Sequence, residues 1–378
     1  MSKISDSSFT TLSWRTRLVL RRNRILGSLK FQNWAAKVPV FRMVARRKAA
    51  GQFDLIAGFV YSQITYVFVQ SDLIGFLASR PRNFSEIVDF LGLSPAATER
   101  IVKAGAALKL SESPQDDVWT LGEVGAAMAV NDGVMAMIRH HALLYRDLVD
   151  PLALMSQQGG VNSELSAFWT YASDTPDSAE AAAPYSDLMR ATQPMVWQQI
   201  LGRYPFSRHQ KILDIGGGSG AFAEAVGTSA PNVQLGVFDL PGVAPLARDR
   251  FAGSPLQPRV QIHSGSFRED ALPRGYDLIT LIRVLHDHDD AAVQALLAKV
   301  FESLPTTGRL LIVEPMAETR GAEGMGDAYF GLYLWAMGSG RPRSFKENAK
   351  MAKEAGFSSV REISTPLPLI AKALIAIK

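Results

Sequence analysis

Residues 211–226, KILDIGGGSGAFAEAV, join a short apolar run broken by Asp214 to the turn Gly216-Gly217-Gly218-Ser219-Gly220, and then return to helical spacing from Ala221. A turn of this kind lets backbone touch a ligand where a strand passes into a helix, which is how nucleotide-like cofactors are held. Gly216, Gly218 and Ala221 satisfy the loose pattern G-x-G-x-x-G/A, and Asp239 ends the next apolar run about where a ribose-binding acid is expected. A nicotinamide-dependent oxidoreductase is therefore one reading. Two details favour another: the further glycine, Gly220, and the acid Asp214 just before the loop. A carboxylate repels a pyrophosphate but attracts a cofactor that carries an ammonium and a sulfonium. S-adenosylmethionine is such a cofactor. The string HDHDD at 286–290 does not argue for a metal, because adjacent residues rarely point at one ion. The chain has no cysteine, which excludes disulfides, thiolate metal sites and a cysteine nucleophile.

These residues need a frame. At 378 residues, with 47% hydrophobic and 20% charged, the chain is globular and long enough for two domains. From about residue 205, KILDIG, VQLGVFDL, VQIHSGSF, YDLITLIRVL and RLLIVEP read as strands, DAAVQALLAKVFESL and SFKENAKMAKEAGF as helices, and LPLIAKALIAIK as added edge strands. The fold class is α/β, with a doubly wound, mostly parallel Rossmann-like sheet over residues 205–378, whose ligands sit beyond the carboxyl ends of the strands. Residues 51–204 read as mainly helical, in the order helix, helix, helix, hairpin up to SESPQDDVWTLGEVG. That order is winged-helix-like, so a DNA-binding regulator competes. Its reading helix, 95–110, carries only Arg100, Lys103 and Lys109 beside Glu99, too thin to track phosphates. SDTPDSAEAAAP at 173–184 reads as an exposed loop before the helix YSDLMRATQPMVWQQIL.

Residues 1–50 form a basic arm with twelve Lys or Arg against Asp6 alone, so a net charge of +4 divides into +11 there and −7 elsewhere. Trp14, Leu18, Ile25 and Leu29 are spaced to share one side of a helix whose other side holds arginines. The arm is a solvated tail, or it meets a membrane surface or nucleic acid; the apolar face favours the membrane over nucleic acid. The first residues lack an apolar signal core, and LIAGFVYSQITYVFVQ at 55–70 is broken by Ser62, Gln63 and Thr65, so it reads as a buried or interfacial helix.

Over about residues 45–378, DIGGGSG, FDLP, GSFRED, LIRVLHDHDD and IVEP stand in the order and spacing of a known family. The chain resembles the caffeate and acetylserotonin type of small-molecule O-methyltransferases, which bind S-adenosylmethionine and whose helical half dimerises and closes over the substrate. LYRDLVDP, GDAYFGLYLWAMGSGRPRS and the arm resemble most the carotenoid O-methyltransferases of purple phototrophic bacteria, which methylate a tertiary hydroxyl of hydroxyneurosporene and demethylspheroidene. An enzyme acting on a bacteriochlorophyll precursor or a phenol is the alternative within the family. The resemblance implies a homodimer acting on a hydrophobic small molecule and not on nucleic acid; the chain is expected in the cytoplasm, where its basic arm offers a contact with the inner face of the membrane.

The resemblance also implies roles. Asp214, Gly216, Gly218 and Gly220 lie at the methionine end of the cofactor, Asp239 accepts both ribose hydroxyls, Leu240 and Phe267 flank the adenine, and Arg283 belongs to the same cofactor set. Ser266 stands where relatives have an aspartate on the adenine amino group, with Asp270 near enough to compete for that role, and His288 stands where they have tryptophan. His286 takes the position of the general base, with Glu314 and Asp287 to orient it. A second orienting glutamate is expected near Pro342, where the chain has GRPRS instead, so a less strongly supported base is expected. Phe168, Trp169, Tyr185, Met189, Tyr329, Phe330, Tyr333, Trp335 and Met337 are candidates for a long apolar acceptor pocket. A tertiary hydroxyl is too weak an acid to ionise beforehand, so proton removal must accompany methyl transfer, and placement matters more than basicity.

Overall fold

The computed structural model describes residues 12–157, 162–169 and 179–378, with side chains described from residue 188 in the last segment. The arm begins with the helix Trp14–Leu26, which stops at Gly27; Ser28 then caps the helix Leu29–Lys37, its hydroxyl accepting from Phe31 N at 3.4 Å. Leu29 therefore sits on a different helix from Trp14, Leu18 and Ile25, contrary to the reading of one continuous face. The reason is local: Gly27-Ser28 supplies a stop and a start in succession. Pro39 opens a third helix, Pro39–Gln70, whose 32 residues run across position 50 without a break.

After Leu73–Ser79, the helix Phe84–Leu91 starts from a capping box made by Asn83 and Glu86, and Pro95–Ala107 follows from Ser94. Strands β1 (Ser111–Gln115) and β2 (Val118–Leu121) make an antiparallel hairpin, and Arg82 adds a bridge to Trp119. Phe68, Leu73, Ile87 and Val102 are buried together beneath this helix and hairpin group. The helices Asp132–Asp147, Glu164–Phe168 and Ala179–Leu201 then lead to the sheet. The last begins at Ala179, inside the stretch expected to be a loop, because the alanine run there favours helix; residues 173–178 of that stretch lie outside the described residues.

The sheet comprises β3 (Lys211–Ile215), β4 (Gln234–Asp239), β5 (Val260–Ser264), β6 (Leu278–Ile282), β7 (Arg309–Glu314), β8 (Ser359–Ile363) and β9 (Lys372–Ile377), in the order β5-β4-β3-β6-β7-β9-β8. β9 runs antiparallel to both of its neighbours and the first five strands are parallel. LPLIAKALIAIK thus yields one strand, in the interior of the sheet, rather than edge strands. The edge is β8, whose polar SVREI carries no strong strand signal. In the parallel register Ile215 pairs with Phe238 and Leu281, and Ile282 with Val313. The glycine turn, Asp239, the loop after Ile282 and Glu314 consequently meet at a single edge, the carboxyl ends of the strands.

Candidate active site

At this edge a cleft opens, lined by Gly216, Gly218, Asp239, Leu240, Ser266 and Phe267. Asp239 accepts from Gly218 N and from Leu240 N, each at 2.7 Å and each on a different oxygen. Every carboxylate oxygen has capacity beyond one bond, so both can still accept from a diol in the cleft. Burial pushes Asp239 up to about 6 against the pull of those two N–H groups. Arg283 also lines the cleft; its φ of 56 is unusual for a side chain with a Cβ, Nη1 donates to Thr192 Oγ1 at 2.8 Å, and Nε is buried without a partner among the described residues. A carboxylate able to accept from a diol and a guanidinium lining the same cleft fit a nucleoside cofactor that ends in an amino acid.

Asp214, Gly220 and Asp270 are not among the residues that line this cleft. Asp214 is buried next to the turn, where a Cβ at Gly217 would come within 2.8 Å of its Oδ2; it accepts from Thr280 Oγ1 at 2.7 Å and is held up to about 7 by burial. Gly220, at the N-cap of the helix Ala221–Ser229, has φ 78, and a Cβ there would come within 2.7 Å of Phe251, so the turn requires glycine at this position. Asp270 accepts from Ser266 N at 2.8 Å and is tied to its own loop. At the far end His288 lines the cleft edge-on to Phe267, with ring centroids 5.1 Å apart, and burial lowers it to about 4, so it presents a neutral ring there. Arg268, 3.4 Å from His288 Nδ1, is a cleft residue that the sequence reading did not single out.

His286 is 2% exposed and sits just behind the cleft wall, to which Asp287 contributes. Glu314 Oε2 accepts from the His286 backbone N at 3.1 Å and lies 3.3 Å from Nδ1, while Asp287 Oδ1 lies 3.0 Å from Nε2. The imidazole is thus gripped on both sides, more tightly than the missing glutamate near Pro342 suggested. Burial presses it toward the neutral form, but the charges and hydrogen bonds of Asp287 and Glu314 prevail and raise it to about 9. Asn348 Nδ2 reaches the other oxygen of Glu314 at 3.4 Å. The segment at 339–343 fixes the loop: Ser339 Oγ donates to Asp287 O, and the buried Arg343 donates to Leu285 O and His288 O and pairs with Asp290. Arg343 had no local signal beyond its place in GRPRS.

Of the acceptor candidates, Met189 and the buried Trp169 line the cleft. Tyr329, Phe330 and Tyr333 form a separate aromatic bank that reaches His286 through Phe330, with centroids 5.8 Å apart. His141 Nε2 meets Tyr329 OH at 2.7 Å, and His140 Nε2 meets Tyr333 OH at 2.9 Å. Burial keeps this bank uncharged, lowering both histidines and raising both tyrosines. The pairings span nearly half the chain, which is why His140 and His141 went unmarked in the sequence. Phe168 packs on His140 at 4.7 Å. Met337 is buried among Leu144, Leu154 and Leu165, and Trp335 Nε1 donates to Leu154 O at 3.0 Å, so these two hold the helices together instead of forming a wall. Tyr185 lies on Ala179–Leu201, and its side chain is outside the described residues. No group of three or more potential metal ligands occurs among the described residues.

A seven-stranded sheet with one reversed strand, a glycine turn and a buried carboxylate at the strand ends define the class of α/β proteins built to hold a nucleotide-type cofactor. Comparison with known proteins narrows it. Residues 146–358 match the O-methyltransferase domain, and the chain belongs to that family of S-adenosylmethionine-dependent O-methyltransferases. It is 38% identical to the demethylspheroidene O-methyltransferase of Cereibacter sphaeroides over 94% of each chain. To the enzyme of the same name from Rhodobacter capsulatus it is 37% identical, over 93% of this chain and 88% of that one. Its fold is similar to human N-acetylserotonin methyltransferase solved in complex with S-adenosylmethionine, with a TM-score of 0.69 and 20% identity over 91% of this chain and 99% of that one.

Proposed function

We propose that the protein methylates the tertiary hydroxyl of a hydroxylated acyclic carotenoid of the demethylspheroidene type. The observation that carries this reading is the uncharged His–Tyr bank beside His286, which suits an apolar acceptor with one hydroxyl. The similarity to two demethylspheroidene O-methyltransferases along nearly the whole chain supports the same acceptor class.

S-adenosylmethionine supplies an electrophilic methyl group on a sulfonium when bound. Asp239 would hold the ribose hydroxyls, Gly216 and Gly218 would pass close to the chain that links ribose and amino acid, and Arg283 would meet the carboxylate of that amino acid. Leu240 and Phe267 would enclose the adenine, with His288 and Ser266 at its rim. His286 takes the hydroxyl proton at Nε2, the nitrogen beside Asp287, which itself lines the cleft, while Glu314 holds Nδ1–H. Nε2 can accept only after the proton shared with Asp287 has gone, so Asp287 sets when the base is ready. Trp169 and Met189 keep water from the reacting oxygen.

We assign residues 51–204 to dimerisation and substrate closure and residues 205–378 to cofactor binding and chemistry. A homodimer is supported by Leu55, Ile56 and Phe59, which are 86%, 70% and 72% exposed on one side of Pro39–Gln70. Incubation with methyl-labelled S-adenosylmethionine and a panel of hydroxycarotenoids, phenols and chlorophyll precursors tests the acceptor. Label on a phenol or a chlorophyll precursor, with none on the carotenoids, would overturn it.

A further inference from the structure

From residue 12 to residue 53 the chain holds eleven Lys or Arg and no Asp or Glu. None of the eleven has a carboxylate partner among the described residues, whereas Arg80, Lys103, Lys109, Arg146 and Arg250 beyond that stretch are all ion-paired. Arg17 donates to Leu12 O and Arg22 to Asn23 Oδ1, which leaves their charge unbalanced.

Large apolar side chains stand exposed among these cations. In the helix Trp14–Leu26, Trp14, Leu18 and Ile25 fall within about 40° of one another around the axis, with Arg21 and Arg22 on either flank. Trp14 is 67% exposed and Leu18 55%. The arginines thus border the apolar ridge instead of lying opposite it. Leu29 and Trp34 on the second helix, and Val40, Met43 and Val44 at the start of the third, are exposed as well.

We propose that residues 12–48 are a docking surface for an anionic lipid bilayer. Lipid head groups balance the cations, the acyl boundary takes up the ridge, and arginines that flank it can bury their stems while their guanidinium groups reach the phosphates. A second copy of this chain is a poor occupant, since a two-fold contact would bring the same unpaired cations together. Nucleic acid would satisfy the charges but leave the aliphatic side chains in water. The surface lies outside the patch assigned to the dimer at residues 55–59. No helix among the described residues is long and apolar enough to cross a membrane, so contact would be by insertion of side chains into one leaflet.

The test is flotation of the full-length protein with vesicles of phosphatidylcholine alone and of phosphatidylcholine with phosphatidylserine, at low and high salt. Binding should need the anionic lipid and fall with salt. Arg15→Gln, Arg21→Gln and Arg22→Gln together should lower partitioning by about tenfold to a hundredfold. Trp14→Ser, Leu18→Ser and Ile25→Ser together should also lower it while leaving the salt dependence in place. Unchanged affinity for S-adenosylhomocysteine checks that both variants are folded, and because binding is read without turnover the result is separate from the identity of the acceptor. Equal flotation with both lipid mixtures would overturn the proposal. So would insensitivity to the serine variant, tighter binding to RNA at equal phosphate concentration, or a fall in oligomer mass in the glutamine variant.

Discussion

Asp287→Asn removes a negative charge from beside His286 Nε2 while keeping side-chain size. In the native arrangement burial opposes the imidazolium, and Asp287 at 3.0 Å together with Glu314 at 3.3 Å overcomes it, holding the ring up to about 9. An isolated histidine titrates near about 6.5, so the two carboxylates secure a preference of about 3 kcal/mol for the charged form, at about 1.4 kcal/mol per pH unit. At pH 7.5 only about 3% of a group titrating near 9 is neutral and able to take a proton. With His286 as the proposed base the reaction needs the neutral ring, so kcat/KM of the native enzyme should rise with pH toward a limb near 9. With Asp287 neutralised, burial and Glu314 are left opposing each other, and the limb should move down toward neutral pH. The assay is transfer of label from methyl-labelled S-adenosylmethionine across buffers from weakly acid to strongly alkaline, for both proteins. Stability should follow the same linkage. The raised value stabilises the fold below about 6.5, and this contribution is lost as pH climbs through about 9; in the variant that loss is smaller. Rising limbs at the same pH in both proteins would refute the reasoning, because the ring would then not be governed by Asp287.

His286→Ala should cut turnover by about a hundredfold to ten-thousandfold and spare cofactor affinity in calorimetry, and Glu314→Gln should cost less. Asp239→Ala should weaken S-adenosylhomocysteine binding by about 1 to 3 kcal/mol, with no NADH binding in either protein. Gly340→Ala places a Cβ against the carbonyl oxygen of His286 at a backbone with φ 78, so it should lower kcat with little change in cofactor affinity, at a stability cost of about 1 to 3 kcal/mol in chemical denaturation.

The cofactor half was legible because its signals are short-range. A glycine turn after an apolar run and an acid at the end of the next strand mark a strand–turn–helix unit within a few dozen residues, and Gly216, Gly218 and Asp239 all line one cleft. The acceptor side was legible only in part. Aromatic and methionine residues at helical spacing look alike in core and in cleft, and Met189 and Trp169 line the cleft while Met337 is buried in the core. Asp214 shows the same limit: its place in the sequence is beside the turn, but alternation along β3 turns the carboxylate toward Thr280.

The sequence by itself determined the alternation of strand and helix, the glycine turn with the acid that ends the next strand, the absence of thiol chemistry and the unbalanced charge of the first fifty residues, since each depends on residue type and local spacing. The tertiary structure decided that β9 enters the interior of the sheet and that Gly27-Ser28 splits the arm into separate helices. It also decided that His286 is held between Asp287 and Glu314, and that His140 and His141 pair with tyrosines some 190 positions away. The physical reason is range. Turn and strand propensity act over a few residues, whereas a buried imidazole takes its charge from carboxylates that packing brings within about 3 Å, wherever in the chain they arise.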